Sequence, residues 1–248
     1  MEKKFIRYDE QYTRLKLLYK NTFKKKQTAL KILILHGFGS TAESCKEQIT
    51  PLFDSLNETC ELHFVNGMHD VPQLLALMFG SSAGNAWWSM NPSMQGEGYE
   101  ESLKQLIHIL EKEPKKNNIK HFDGIIGFSQ GAAMVGMLIA EQAIRKKTWF
   151  KFACCISGFI PNNERMAKKI NDLSSSKANN NVCPSFHVFG LGDVIIQHEK
   201  SNNLAKQFEG SFICKPHEGG HEINVTNPNV LHAFQFFIRK VSKLCTST

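Results

Sequence analysis

The sequence predicts a three-layer α/β fold with a mainly parallel central sheet and helices on both faces, and three observations carry that expectation. Apolar runs of strand length alternate with segments of helical periodicity along most of the chain, which is the order that builds a parallel sheet with crossover helices. Runs such as Leu30-Lys31-Ile32-Leu33-Ile34-Leu35 are nearly continuous rather than alternating, as suits a strand covered on both faces. One run, Gly124 to Phe128, passes through G-x-S-x-G directly into the small-residue stretch Gly131-Ala132-Ala133, the signature of a strand, a sharp turn and a helix.

Taken in order, residues 1–29 form a basic N-terminal extension, in which Tyr12, Leu15, Leu18 and Tyr19 have the spacing of a short amphipathic helix over Gln11 to Phe23. Residues 30–248 are expected to form one domain, since a chain of this length can bury a single large core. After the first strand, Ser40 with Glu43 three residues on has the form of a capping box, opening a helix that runs to about Leu56. Cys60 to Val65 reads as the second strand. From Asn66 to Gly98 periodicity is lost and Gly, Ser, Asn, Met and Trp accumulate, which predicts a long excursion over the sheet edge of the kind that carries function. A helix follows over Glu100 to Glu113, stopped by Pro114. Beyond the Gly124 strand come a helix from Gln130 to about Lys146, a strand over Phe150 to Ser157, and a short helix around Met166 to Leu173. Strands at Ser185 to Phe189 and Phe212 to Lys215 flank a helix near His198 to Phe208. Asn227-Pro228 supplies an N-cap and first helical residue for a last helix through Leu231, Phe234 and Ile238.

Composition narrows the function classes. The formal charge of +7 resides mostly before residue 30, where nine Lys or Arg face Glu2, Asp9 and Glu10 and leave a net +6. The remainder is nearly neutral, so neither a nucleic-acid-binding nor a membrane-binding domain is expected, and the leader reads as a solvated arm. It lacks the apolar core of a secretory signal and the Arg-rich, acid-poor make-up of a mitochondrial presequence. No window holds the roughly 18 apolar residues of a membrane span. Seven cysteines without C-x-x-C spacing point to reduced core residues of a cytoplasmic protein.

A serine at the apex of a strand-to-helix turn is a candidate nucleophile, and a serine hydroxyl needs a base that is itself held by a carboxylate. Ser129 therefore asks for an acid and a histidine at later strand ends, in the order Ser, Asp, His that α/β hydrolases use. Asp193, in Gly190-Leu191-Gly192-Asp193, and His221, in His217-Glu218-Gly219-Gly220-His221, occupy such loops. Asp193 could instead cap the following helix. Asp123 and Asp70 are poorer acids, since one precedes its strand and the other precedes the nucleophile. The second loop also spells H-E-x-x-H, but a zinc site needs that pattern on a helix, and two adjacent glycines cost about 2 kcal/mol of helix propensity. No metal and no cofactor are expected. His221 is favoured as base because the glycines let its loop bend, with His217 the alternative. For the oxyanion, the amide of Gln130 at a helix start and that of Phe38 in His36-Gly37-Phe38-Gly39 are the candidates, with His36 nearby. Trp87 and Trp88 either anchor the excursion or form an apolar wall that binds an acyl group.

Leu33-Ile34-Leu35-His36-Gly37-Phe38, Ala86-Trp87-Trp88, Phe122 through Ala132, Cys155-Ile156-Ser157-Gly158-Phe159 and His217-x-Gly219-Gly220-His221 together resemble the FSH family of serine hydrolases, which includes the ovarian tumour suppressor candidate esterases. The resemblance covers about residues 30 to 243. It implies an α/β-hydrolase fold, metal-free ester or thioester hydrolysis of aliphatic acyl substrates, and a triad of Ser129, Asp193 and His221. Where the family often has Asp-Ala-Pro this chain has Asn66-Gly67-Met68, and Glu222-Ile223-Asn224 follows His221 where the family often has a hydrophobic residue and Pro. An acyl-protein thioesterase or lysophospholipase shares G-F-S-Q-G and G-x-x-D, yet not the Trp pair or the His217 to His221 motif. A non-catalytic binding module would carry a broken triad. The expected partner is thus a small acyl ester or thioester, with its chain length and leaving group unassigned.

Overall fold

In the computed structural model the described residues are 29–54, 56, 60–78, 84–90, 96–116, 121–174, 182–208, 210–214 and 216–246. The helix expected over Gln11 to Phe23 lies outside them. A six-stranded sheet runs in the order β2-β1-β5-β6-β7-β8, with β1 at Leu30–Leu35, β2 at Cys60–Val65, β5 at Gly124–Phe128, β6 at Phe152–Ile156, β7 at Ser185–Val188 and β8 at Phe212–Ile213. Every pairing in it is parallel. The order reverses beside β1, and that is where an open parallel sheet leaves a crevice at its carboxyl edge.

The near-continuous apolar runs serve two separate cores. Leu33 and Leu35 of β1 join Ile125, Ala153 and Cys155 beneath α3 (Tyr99–Lys116), α4 (Gln130–Ile144) and α5 (Glu164–Ser174). Leu30, Ile32 and Ile34 point the other way, with Ile126, Cys154 and Phe186, against α1 (Ala42–Asp54) and α7 (Pro228–Thr246). Alternate residues of one strand thus feed opposite layers, as the period of two requires. Helix α4 crosses the first of these cores with 14 of its residues buried, and its alanines and glycines are what let a helix lie so close to the sheet.

The cap of α1 differs from expectation. Thr41 Oγ1 accepts the Ser44 amide at 3.1 Å, whereas Ser40 is engaged in a bridge with Asn85, so the chain enters the helix one residue later. Pro114 lies within α3, which continues to Lys116. Asn227 does cap α7, its Oδ1 accepting the amides of Asn229 and Val230 at 2.9 and 3.3 Å.

The excursion after β2 is not structureless. It folds as a second, antiparallel ribbon of β3 (His69–Val71) and β4 (Gly84–Ala86), with the short helix α2 (Gln73–Met78) between them. The helix α6 (His198–Ala205) follows β7. None of the described helices is long and apolar enough to cross a membrane. All seven cysteines are free, and five of them are buried, where desolvation pushes the thiols of Cys45 and Cys183 up to about 12.

Candidate active site

Strand β5 delivers Ser129 to the crevice. The residue sits at φ 53° and ψ −117°, a conformation that L-residues occupy only when the surroundings impose it. The imposition is local: the Ser129 amide donates to the Ile156 carbonyl at 2.9 Å, and its carbonyl accepts from Ala133 at 3.1 Å inside α4. A Cβ on Gly127 would strike the Gly131 carbonyl, and one on Gly131 would lie 2.5 Å from the His36 carbonyl oxygen. Glycine at both positions is what lets strand and helix meet so closely.

The loops after β7 and β8 are joined by main-chain bonds. Leu191 donates to His217 O at 2.7 Å, Gly192 to Gly219 O at 3.1 Å, and His217 to Phe189 O at 3.3 Å. A Cβ on Gly190 would collide with the Gly219 carbonyl, so the two loops approach along a seam that only glycine permits. This seam places Asp193 beneath His221. Asp193 is buried, and its Oδ1 accepts the amides of Ile195 and Ile196 at 2.9 and 2.7 Å, which leaves Oδ2 for the histidine.

Asp193 Oδ2 lies 2.8 Å from His221 Nδ1, and His221 Nε2 lies 2.8 Å from Ser129 Oγ. An ionised carboxylate only accepts, so Nδ1 carries the proton and Nε2 presents its lone pair to the serine hydroxyl. The imidazole rests on Phe128, ring centroids 4.9 Å apart. Three side chains from three strand ends thus form one continuous hydrogen-bonded chain, in which the hydroxyl proton has an acceptor already in place.

His217, four residues before His221, is turned elsewhere. It is buried, its Nδ1 accepts the Gly219 amide at 3.1 Å, and burial lowers its pKa. The ring is neutral with its proton on Nε2. Residues 217–221 form a loop rather than a helix, so the two histidines of H-E-x-x-H do not share a face, and among the described residues no group of His, Cys, Asp and Glu is arranged to hold a metal ion. Asp123 accepts from the Lys31 amide at 3.0 Å at the opposite end of the sheet's β5 strand, and Asp70 accepts from Asn85.

The other predicted residues separate into two groups. Phe38 and Gln130 line the cavity that contains Ser129, together with Met90, Phe128, Phe159, Ile196 and Ile223; its volume is about 530 Å³. Gln130 opens α4, and the first amides of a helix have no intrahelical acceptor. His36, Trp87 and Trp88 are not in that wall. His36 is fully buried and holds the turn after β1: Nδ1 donates to Gly37 O at 2.7 Å and Nε2 accepts the Gly67 amide at 2.9 Å. Burial lowers its pKa, which keeps that neutral tautomer.

Of the two expectations for the tryptophans, an anchor or an apolar wall, neither indole lines the cavity of Ser129, while Trp88 lines a neighbouring one. Trp87 is 0% exposed, and its Nε1 donates to the His36 carbonyl at 2.9 Å. The side chain of Gln130 clamps the pair, its Oε1 accepting the Trp87 amide at 2.9 Å and its Nε2 donating to Trp88 O at 3.0 Å. A polar loop cannot shield two indoles unless they turn into the core, and they anchor the ribbon by doing so. The residues that do form the wall lay unmarked in the sequence, except that Phe159 follows a buried strand at its carboxyl end, the position from which crevices are lined. Met90 carried no such signal.

Glu222 lies at the cavity's edge with its carboxylate accepting from Asn224 Nδ2 at 3.0 Å. Its charge acts on His217, where it opposes the effect of burial.

Comparison with known proteins gives the family and the fold. A family model described as serine hydrolase (FSH1) matches residues 26–230. An esterase of Caenorhabditis elegans is 31% identical over 209 residues, covering 79% of this chain and 87% of that protein. Human esterase OVCA2 is 30% identical over 223 residues, covering 82% and 92%. Among solved structures, acyl-protein thioesterase 2 of Zea mays superposes with a TM-score of 0.62 at 18% identity, covering 89% of this chain and 97% of that one. At that identity the superposition speaks for the fold.

Proposed function

The chain belongs to the serine hydrolase (FSH1) family, and from that membership we propose that it is a serine carboxylesterase or thioesterase in which Ser129 is the nucleophile, His221 the general base and Asp193 the residue that holds the imidazole. The observation that carries the proposal is the unbroken chain from Ser129 Oγ through His221 to Asp193 Oδ2, with both links at 2.8 Å.

In the proposed reaction Ser129 Oγ attacks the acyl carbon as His221 Nε2 takes its proton. The tetrahedral oxyanion is stabilised by the amides of Gln130, at the positive end of α4, and of Phe38, in the turn that His36 braces. His221 then gives the proton to the departing alcohol or thiol, leaving the acyl group on Ser129. A water deprotonated by the same nitrogen attacks that ester, and collapse releases the acid and returns the proton to Ser129. Asp193 stays ionised throughout and stabilises the imidazolium that forms twice in the cycle.

Replacing Ser129 by Ala is expected to lower p-nitrophenyl ester turnover roughly 10⁵-fold with the fold unchanged, and to abolish labelling by a fluorophosphonate probe. Turnover or labelling that survives the substitution overturns the triad. A parallel comparison of a soluble acyl ester, an acyl-cysteine peptide and a lysophospholipid assigns the leaving group.

A further inference from the structure

Behind the cavity that holds Ser129 lies a second one of about 390 Å³, between the β3–β4 ribbon and the start of α3. The two have only two residues in common, Phe38 and Met90. The floor of the rear chamber is apolar, since Val71, Ala86 and Trp88 are all buried there. Asp70, Glu97 and Glu101 also line it, and all three are exposed.

The chain leading into Met90 is held in place on its N-terminal side. Trp88 O is fixed by Gln130, and the Ser89 amide donates to Glu97 O at 2.8 Å while Ser89 O accepts from Gly96 at 3.1 Å. The backbone there is therefore set by the clamp, and the unbranched side chain of Met90 packs half-buried against the core on that side. Methionine fills irregular gaps and is readily trimmed or enlarged without a change of charge.

We infer that Met90, standing with the Phe38 ring between the two cavities, is the residue that limits the length of acyl chain the site accepts, and that the rear chamber is the space into which a longer neutral aliphatic chain extends when this partition is shortened. The inference rests on the proposed reading of Ser129 as the nucleophile. A chain extending from Ser129 into the rear chamber passes Phe38 and Met90, the two residues that line both cavities. The carboxylates lining that chamber select against an acyl group ending in an anion.

The test is the ratio of kcat/KM for p-nitrophenyl decanoate to that for p-nitrophenyl butyrate, both below their micellar concentrations, in the wild type, Met90→Ala and Met90→Phe. Since each methylene gained or refused by an apolar pocket changes the specificity constant severalfold to a hundredfold, Met90→Ala is expected to raise the ratio about tenfold and Met90→Phe to lower it about tenfold. Opposite shifts are not produced by misfolding, which lowers both rates together. The same ratio in all three proteins overturns the partition while leaving the nucleophile assignment standing. Absence of Ser129-dependent turnover of either ester in the wild type overturns the assignment, and the partition with it.

Discussion

Two regions meet at Ser129, and they are held by different means. On one side the loops carrying Asp193 and His221 are sewn together by main-chain bonds, Leu191 to His217 and Gly192 to Gly219, along a seam where side chains would not fit. On the other, the β3–β4 ribbon meets the turn after β1 through one main-chain bridge, Asn85 with Gly39 and Ser40, and its further ties are side chains: Gln130 on Trp87 and Trp88, Trp87 on His36, and His36 on Gly67. The first region keeps its geometry through the backbone and is expected to tolerate changes at most side chains other than those of the proposed triad. The second depends on the identity of a few buried polar groups, each of which leaves a partner unsatisfied when it is removed.

The sharpest way to break the first region is Asp193→Asn. Asparagine keeps the Oδ1 acceptor for Ile195 and Ile196, so the loop retains its shape. Its NH2 group now faces His221 Nδ1, which must accept, and the proton moves to Nε2, where it opposes the Ser129 hydroxyl. A loss of about 10⁴ in kcat is expected, with thermal unfolding shifted by no more than a few degrees. A melting temperature that fell as steeply as the activity would mean that this side, too, depends on its side chains.

The second region is tested by Gln130→Leu, which keeps the amide proposed for the oxyanion but deprives the Trp87 amide and Trp88 carbonyl of their partners. Both are buried, and an unpaired buried group costs about 1–3 kcal/mol, so about 3 kcal/mol of unfolding free energy should be lost, measured by urea titration. Here stability falls first and activity follows, through the wall formed by Met90. Unchanged stability would show that the ribbon is held by its own strand pairing.

The same contrast sets how much was legible in the sequence. The sheet could be read because β1, β5 and β6 are covered on both faces and therefore written as nearly continuous apolar runs. Gly127 and Gly131 marked the elbow because nothing larger fits there, and the chain order of Ser129, Asp193 and His221 follows from the topology that the strands impose. The ribbon could not be read. Its strands are three residues each, too short for a period to register. The burial of Trp87 and Trp88 depends on Gln130, some forty residues on, and no local pattern encodes that contact. Thr41 displaced Ser40 as a cap for a similar reason, since Ser40 is claimed by Asn85 on the same ribbon. The wall around Met90 is a consequence of these distant contacts, which is why the juxtaposition of Ser129, His221 and Asp193 could be anticipated from the sequence and this wall could not.

The smallest effect expected here is that of Trp87→Phe, which separates the polar from the apolar part of the anchor. Phenylalanine retains most of the ring that fills the core beside His36, whose centroid lies 5.2 Å from that of Trp87, but loses the Nε1–H that serves the His36 carbonyl. That carbonyl belongs to the residue before Gly37 and Phe38, so the substitution tests whether the side-chain support of the ribbon also steadies the proposed oxyanion turn. A loss of about 1–2 kcal/mol is expected from the unsatisfied acceptor and the small void. A turn that depends on this bond responds with a severalfold fall in kcat and little change in KM, because an oxyanion donor acts in the transition state and not on bound substrate. A turn braced by His36 alone, through Gly37 O and Gly67, loses stability with kcat intact, and the two regions are then independent on the Phe38 side as well.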